Sequence, residues 1–188
     1  MRRLPRLIVL TAALACAVLV AGCGNRIAVR TVAATEGLYL DIDDLKYQIQ
    51  LSRYLNPTDV EDHTYLTGLP PGTAQPAGDE TWFAVFIRVA NPHDTPIASA
   101  DNFEIVDTQG NSFKPIPLDP KVNPFAYVPG VIPPQGQIPP ADSIASEGPV
   151  KQGALLLFKI KTDSLQNRPL EFRFKRGNGT TGTVDLDV

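Results

Sequence analysis

Apolar and polar residues alternate with a period of two through several stretches of this chain. Residues 81–90 give the strongest strand signal and are nearly apolar on both faces. One face carries Phe83, Val85, Ile87 and Val89, and the other carries Trp82, Ala84 and Phe86. A strand of this kind is typical of the centre of a packed β structure. The pattern therefore predicts a central strand, with Trp82 in the core.

The same period predicts strands on both sides of this central one. In residues 38–55, Leu45, Tyr47, Ile49 and Leu51 share one face, and Lys46, Gln48, Gln50 and Ser52 share the other. Further strands are predicted at residues 102–107, 112–114, 153–161, 170–175 and 181–188. Turn signals at residues 109–111 and 177–179 join two pairs of them into hairpins. Seven strands without an intervening helix pattern predict an all-β fold, an antiparallel immunoglobulin-like β-sandwich over residues 38–188.

Two segments interrupt the strands. Asn56 and Pro57 fit the cap and first position of a short helix, and residues 163–165 fit a short turn. Residues 115–149 contain ten prolines and are called the proline-rich segment below. Proline cannot donate to a β ladder, so this segment is either a functional loop or a rigid cover over a sheet edge. The predicted apolar anchors of the segment are Phe125, Ala126, Tyr127, Val128 and Ile132.

The first 23 residues have the organisation of an export signal. A basic start (Arg2, Arg3 and Arg6) precedes an apolar run over residues 7–20. As a helix this run would be about 21 Å long, too short for a hydrocarbon core of about 30 Å. It therefore predicts a signal peptide helix rather than a membrane span. The two adjacent arginines also raise the alternative of twin-arginine export, although Pro5 argues for a plain basic start.

The end of the apolar run resembles the bacterial lipobox. The residues are Val20, Ala21, Gly22 and Cys23, with small side chains before the cysteine. The resemblance implies cleavage between Gly22 and Cys23 and lipidation of Cys23, which would hold the protein by membrane lipid on the extracytoplasmic face of the cell membrane. Residues 1–22 would then be the signal peptide and residues 23–37 the lipidated cysteine and a flexible tether, with a short strand near Ile27 and Val29 as an alternative. An ordinary secretory signal with an incidental cysteine is the other interpretation.

Charge and cysteine content limit the partners that this protein can bind and the bonds that can hold its fold together. Removal of residues 1–22 takes away three of the 17 basic residues and none of the 20 acidic ones, which leaves a formal charge of −6. This charge argues against a nucleic-acid partner. Cys16 lies within the apolar run, so Cys23 would be the last cysteine, and no internal disulfide could form. We therefore expect the domain to be held by its core alone.

Candidate sites for chemistry are few. Asp59, Glu61, Asp62 and His63 form an acidic cluster that could bind calcium or could simply begin a solvated helix. Asp41, Asp43 and Asp44 form a second acidic group. His63 and His93 lie far apart in sequence, and no nucleophile motif or phosphate loop is present. We expect no catalytic residue, no cofactor and no metal, and hence a protein that is not an enzyme.

Several segments resemble a bacterial family. The first is residues 80–91, an apolar strand that ends at Asn91. The others are residues 101–113, 153–160 and 168–172. Together they resemble an immunoglobulin-like extracellular domain of unknown function, telokin-like and secreted-antigen-like, that is common in lipoproteins of Gram-positive bacteria. The resemblance implies a fold and an exported location. It carries no catalytic residue to this sequence.

Three functions are compatible with these observations. The first is a non-enzymatic binding or adaptor module that recognises an unidentified envelope protein. The second is a ligand carrier or enzyme with a pocket under the proline-rich segment. The third is a structural envelope component. A pocket with converging polar groups would favour the second, and an exposed apolar patch on the loops would favour the first.

Overall fold

The structure is a computed structural model that describes residues 30–147 and 152–187. The predicted signal peptide helix, the cleavage site at Gly22, the lipidation of Cys23 and the alternative strand near Ile27 and Val29 lie outside the described residues. Within the described part, no helix has the length and apolar character needed to cross a bilayer.

Twelve strands and three short helices make up the described part of the chain. The strands are β1 (Val32–Ala33), β2 (Tyr39–Ile42), β3 (Leu45–Leu55), β4 (Glu80–Ala90), β5 (Ile97–Ala98), β6 (Asn102–Val106), β7 (Ser112–Phe113), β8 (Val131–Ile132), β9 (Gln137–Ile138), β10 (Ala154–Lys161), β11 (Leu170–Lys175) and β12 (Gly182–Leu186). The helices are α1 (Val60–Tyr65), α2 (Ile144–Glu147) and a 3₁₀ helix at Thr162–Gln166. Seven of the strands have four or more residues.

Two sheets face each other, and a small third pair lies beside them. The first sheet has the order β1-β12-β11-β6-β7, and the second has the order β10-β4-β3-β2, with β9 also paired to β4. Strands β5 and β8 form the small pair. All pairs are antiparallel except β1 with β12. The predicted all-β sandwich is confirmed, with one parallel pair at its edge.

The main core lies between the two sheets. Strand β4 contributes Phe83, Val85, Ile87 and Val89, whose side chains are fully buried there. Phe172 and Phe174 of β11 face them from the first sheet. The predicted inward face of β4 is therefore confirmed.

A second apolar cluster covers the outer face of the second sheet. Trp82, Ala84 and Phe86 of β4 are buried here, beneath Tyr65 of α1 and Phe125 of the proline-rich segment. The Tyr65 ring contacts both Phe86 and Phe125 edge to face, with ring centroids 5.1 and 4.9 Å away. Strand β4 is therefore buried on both sides, as its sequence predicts, and Trp82 belongs to this outer layer.

Residues 38–55 form two strands rather than one. Asp43 and Asp44 adopt φ values of 48° and 67° and join β2 to β3 in a two-residue hairpin turn. Positive φ at both central positions suits the twist of a hairpin, and aspartate tolerates it better than most residues.

A β-bulge in β3 changes the face of its second half. The register with β4 shifts between Ile49 and Leu51, so that Leu51 pairs with Phe86 and packs against the outer cluster. Ser52, on the predicted polar face, is instead buried. The prediction that Leu51 shares a face with Leu45, Tyr47 and Ile49 is wrong, because the extra residue at the bulge reverses the alternation.

The segment predicted as the end of a flexible tether is packed against both sheets. Val32–Ala33 pairs with β12, and Ala33 is buried in the main core. The Asp41 amide also donates to the Arg30 carbonyl at 2.8 Å. Residues 30–33, which the prediction placed in the tether, therefore contact both sheets of the sandwich.

The short helix α1 begins later than predicted. Asp59 is the cap, since its side chain accepts from the amides of Glu61 and Asp62 at 2.9 and 3.1 Å. Asn56 instead accepts from the amide and hydroxyl of Thr58. The predicted cap at Asn56 is wrong because its side chain closes a turn before the helix.

Candidate functional site

The proline-rich segment covers the free edge of β10 at two points. The Ile116 amide donates to the Leu157 carbonyl at 2.7 Å, and the Tyr127 amide donates to the Leu155 carbonyl at 2.8 Å. The Leu155 amide returns a bond to the Phe125 carbonyl at 2.7 Å. The segment is thus a cover over a sheet edge, which was one of the two predicted roles.

Four of the five predicted anchors of this segment contact the fold. Tyr127 and Ile132 are buried, Phe125 packs against the outer cluster, and Ala126 bridges to Leu155. Val128 is wrongly predicted, because its side chain is 50% exposed.

A groove opens between the two arms of the segment, and we call it the proline groove. Its volume is about 340 Å³. The first arm contributes residues 115–118 and Pro120, the second contributes residues 126–129, and β10 supplies Leu155 and Leu156. Because proline restricts φ, Pro115, Pro117 and Pro120 in the first arm and Pro129 in the second limit the backbone freedom of the arms. The groove therefore has comparatively stiff, mostly apolar walls.

Two tyrosines fix the floor of the groove from below. The Tyr127 hydroxyl donates to the Ala100 carbonyl at 2.9 Å, and the Ala100 amide donates to the Tyr47 hydroxyl oxygen at 2.8 Å. The Phe103 ring lies edge to face with Tyr127, with centroids 5.0 Å apart. Burial raises the pKa of Tyr47 to about 12 and that of Tyr127 still further. Both phenols are therefore neutral and serve to position the backbone.

Asp101 is the acidic residue among those that line the groove. Its carboxylate is exposed and accepts from the Gly177 amide at 3.2 Å. The groove therefore combines apolar walls with one negative charge at its edge. Such a site can accept an apolar side chain, and its residues offer no paired acid and base for catalysis.

Exposed apolar side chains are concentrated on the same segment. Of the eight large apolar side chains that are exposed in the described part, the segment carries four: Val122, Val128, Val131 and Ile144. Of these four, Val128 lines the proline groove and extends its apolar wall to the surface.

The structure brings Asp59, Glu61 and Asp62 together, as predicted. Each carboxylate has a protein partner: Asp59 caps α1, Asp62 pairs with Arg53 at 2.5 Å, and Glu61 accepts from the Tyr65 hydroxyl at 3.2 Å. The arrangement favours the interpretation as helix-start acids over a calcium site. Among residues 30–147 and 152–187, no group of three or more His, Cys, Asp or Glu side chains is arranged to hold a metal ion.

The second acidic group lies at the turn between β2 and β3. Asp41 pairs with Lys46, and Asp43 accepts from the Thr180 amide at 3.2 Å. The three acids and His93 line one surface cavity, although His93 is far from them in the sequence. His63 lies on α1, in a different part of the described structure.

Comparison with known proteins gives structural matches only. No protein-family model matches the chain, and no curated protein matches it. The yjhA protein of Bacillus subtilis is similar with a TM-score of 0.51 and 10% identity, covering 82% of this chain and 99% of that chain. This likeness shows a shared fold.

Two further structures match at a lower level. An uncharacterized β-sandwich protein from Clostridium difficile 630 has a TM-score of 0.44 and 11% identity, covering 81% of this chain and 93% of that chain. The ycdA protein of Bacillus subtilis, a candidate lipoprotein, has a TM-score of 0.44 and 12% identity, covering 78% of this chain and 38% of that chain.

Proposed function

We propose that this protein is an envelope lipoprotein of the immunoglobulin-like kind, held by lipid at Cys23, that binds an envelope protein partner without catalysing a reaction. The observation that carries the proposal is the proline groove. It combines apolar walls, which include the exposed Val128, with a segment that covers the edge of β10. An apolar side chain of the partner would fill the groove, as anchors fill pockets in protein interfaces.

The strand order supports the proposal that the groove lies on the side of the domain away from the anchor at Cys23. Chain entry at Arg30 lies beside β1 and β2, which are the edge strands on one side of both sheets. The groove lies beside β6 and β10, on the other side. Six residues lie between Cys23 and Arg30, and the seven Cα-to-Cα steps give a reach of about 25 Å at full extension. A partner at the groove would therefore meet the side of the domain that is turned from the membrane.

A carrier of a small apolar molecule is the second candidate. The groove volume of about 340 Å³ falls at the lower end of the range of small-molecule sites. Such sites also have several polar groups that fix the orientation of the ligand. Here the Tyr127 hydroxyl is already bonded to Ala100, which leaves Asp101 as the charged group at the groove. The groove therefore suits a side chain of a partner better than a free ligand.

The test is site-specific photocross-linking of the full-length protein in cells. A photoreactive residue in place of Val128, at the groove, is expected to give one covalent adduct with a protein partner. Val32 is the matched control, since it is an exposed valine (63% exposed) on the opposite edge of the sandwich. The variant Pro117→Asp adds charge to the exposed groove wall and is expected to abolish the adduct.

Two results would contradict the proposal. One is the same adduct from positions 128 and 32, and the other is the absence of any adduct from position 128. An adduct with a small molecule, detected as added mass on the peptide that contains position 128, would favour the carrier instead.

A further inference from the structure

A polar cavity lies between the hairpin of β6 and β7 and the 3₁₀ helix that follows β10. Its volume is about 360 Å³, which falls within the range of small-molecule sites. The hairpin contributes Asn111 and Phe113 to its lining, and the chain around the 3₁₀ helix contributes Lys161, Asp163 and Asn167. We call it the asparagine cavity.

A buried carboxylate fixes the two asparagine side chains. Asp107 is 4% exposed, and its Oδ2 accepts from the Nδ2 atoms of Asn111 and Asn167 at 2.8 and 3.2 Å. Because a carboxylate only accepts hydrogen bonds, it determines which end of each amide group turns toward it. Each asparagine therefore uses its amide nitrogen on Asp107 and keeps its amide oxygen for another partner.

Both amide oxygens are open to solvent. Asn111 is an exposed residue. Asn167 is half-buried, and its oxygen does not belong to the buried polar atoms that lack a partner. For neither oxygen does a donor appear in the hydrogen bonds of the described residues. The fold thus holds two accessible acceptors in place, which lowers the cost of ordering them around a ligand.

The rest of the wall adds a third acceptor, a donor and an apolar surface. Asp163 is exposed, and its carboxylate forms no ion pair or hydrogen bond with the other described residues. Lys161 Nζ lies 2.8 Å from Asp79 and 3.3 Å from Glu80, so one of its three N–H donors is left. Phe113 is half-buried and packs on the main core, which fixes its ring in the wall.

We propose that the asparagine cavity binds a neutral sugar. Each sugar hydroxyl donates and accepts, which suits a wall with three acceptors and one donor, and a C–H face of the ring suits Phe113. The Lys161 charge opposes a metal ion, and the charges of Asp79 and Asp163 oppose an anion. The cavity shares no lining residue with the proline groove, so either proposal can fail without the other.

The test is a nuclear magnetic resonance titration of the full-length protein, in a detergent that has no sugar headgroup. The four titrants are the methyl glycosides of glucose, galactose, mannose and N-acetylglucosamine. We expect saturable binding of at least one, with a shift of the side-chain amide signals of Asn111 and Asn167. The matched control is 2-methoxytetrahydropyran, which keeps the ring and the methoxy group but has no hydroxyl, and is expected not to bind. Calcium chloride is also expected not to shift these signals.

Retention of the protein on insoluble cell-wall glycan would assign the sugar to a polymer, and binding of the free glycosides alone would assign it to a free sugar. Both results support the proposal.

Two variants and a matched control identify the site. Asp163→Ala is expected to weaken binding of the glycoside about tenfold or more, through the loss of a charge-assisted hydrogen bond. Asn111→Ala removes a neutral acceptor and is expected to weaken binding about twofold to tenfold. Gln166→Ala alters an exposed residue of the same 3₁₀ helix that does not line the cavity, and should leave binding unchanged. Circular dichroism verifies that each variant is folded.

The proposal is overturned if none of the four glycosides binds, if 2-methoxytetrahydropyran binds as well as they do, or if calcium shifts the two amide signals. It is also overturned if folded Asp163→Ala and Asn111→Ala bind the glycoside as the unaltered protein does. Asp163 keeps this test valid even if Asn111→Ala disturbs the turn, because the Asp163 side chain bonds to no other described residue.

Discussion

Asp107 shows how one side chain can organise a turn. Its carboxylate accepts from the amides of Gln109 and Asn111 and from the side chains of Asn111 and Asn167, at 2.8 to 3.2 Å. Burial acts to raise the pKa of Asp107, but these hydrogen bonds, with one from Ser164, outweigh it and hold the pKa well below its ordinary value. The carboxylate form therefore stabilises the link between the hairpin of β6 and β7 and the residues before β11.

The pH dependence follows from the direction of this shift. A depressed pKa in the folded protein gives stability that is complete above the pKa of the unfolded chain, about 4, and is lost as the pH falls further. We expect Asp107→Asn to be less stable than the unaltered protein at neutral pH, with the difference shrinking below about pH 4. Urea denaturation at several pH values measures it, and a difference that stays constant down to pH 2 would argue against this role.

Strand β4 is the element on which the stability of the sandwich depends most. Val85 and Ile87 are fully buried between the sheets. We expect Ile87→Ala to lower the free energy of unfolding by about 2–5 kcal/mol through lost burial and a residual cavity, and Val85→Ala by about the lower end of that range. The control is Val131→Ala, because Val131 is 67% exposed, and its effect should be below about 0.5 kcal/mol.

Equilibrium denaturation of the three variants provides the comparison. Similar losses for Val85→Ala and Val131→Ala would mean that the core is not where the structure places it. Gln48 is a poor control, although its sequence position predicts exposure. Its side chain is half-buried and donates to the Gly37 carbonyl at 2.6 Å.

The strands could be predicted from the sequence wherever the pattern of apolar residues continued without interruption. Strands β4, β6, β10 and β11 follow their apolar periods closely, and the hairpins at residues 109–111 and 177–179 have glycine in the turn. The turn at Asp43 and Asp44 lacks glycine, so its signal was weak. The bulge in β3 leaves no mark in the sequence, because it depends on how two strands pair.

The candidate sites could be predicted only in part. The density of prolines predicted a cover over a sheet edge, and one hypothesis placed a pocket beneath it. The polar surface pocket lined by Arg53, Asp62 and Gln152 could not be predicted, although the sequence shows its acidic residues. Arg53 and Gln152 are 99 positions apart in the sequence and meet only because β3 and β10 flank β4. Such a convergence depends on topology, which local patterns do not contain.

At the scale of the whole molecule, the lipid anchor proposed at Cys23 would decide where the proline groove operates. We expect Cys23→Ser to leave the protein unlipidated and its sandwich folded, because the strands of the described sandwich pack through residues 32–186. Mass spectrometry of the N-terminal peptide checks this prediction: the unaltered protein should begin at Cys23 and carry acyl mass. A mature N-terminus at another residue, or Cys23 without added mass, would contradict the anchor. Membrane fractionation of the variant is the second measurement.

If lipid at Cys23 holds the protein, as proposed, the N-terminal segment from Arg30 to Gly37 carries the tension on the domain. Tension applied at Arg30 acts first on the bond from the Asp41 amide to the Arg30 carbonyl, and on the bond from the Thr183 amide to the Thr31 carbonyl. Each residue peeled from these contacts lengthens the linkage by about 3.5 Å. Ala33, buried in the core, resists further peeling. The segment between Arg30 and Gly37 can therefore extend by a short distance under tension while the longer strands stay paired.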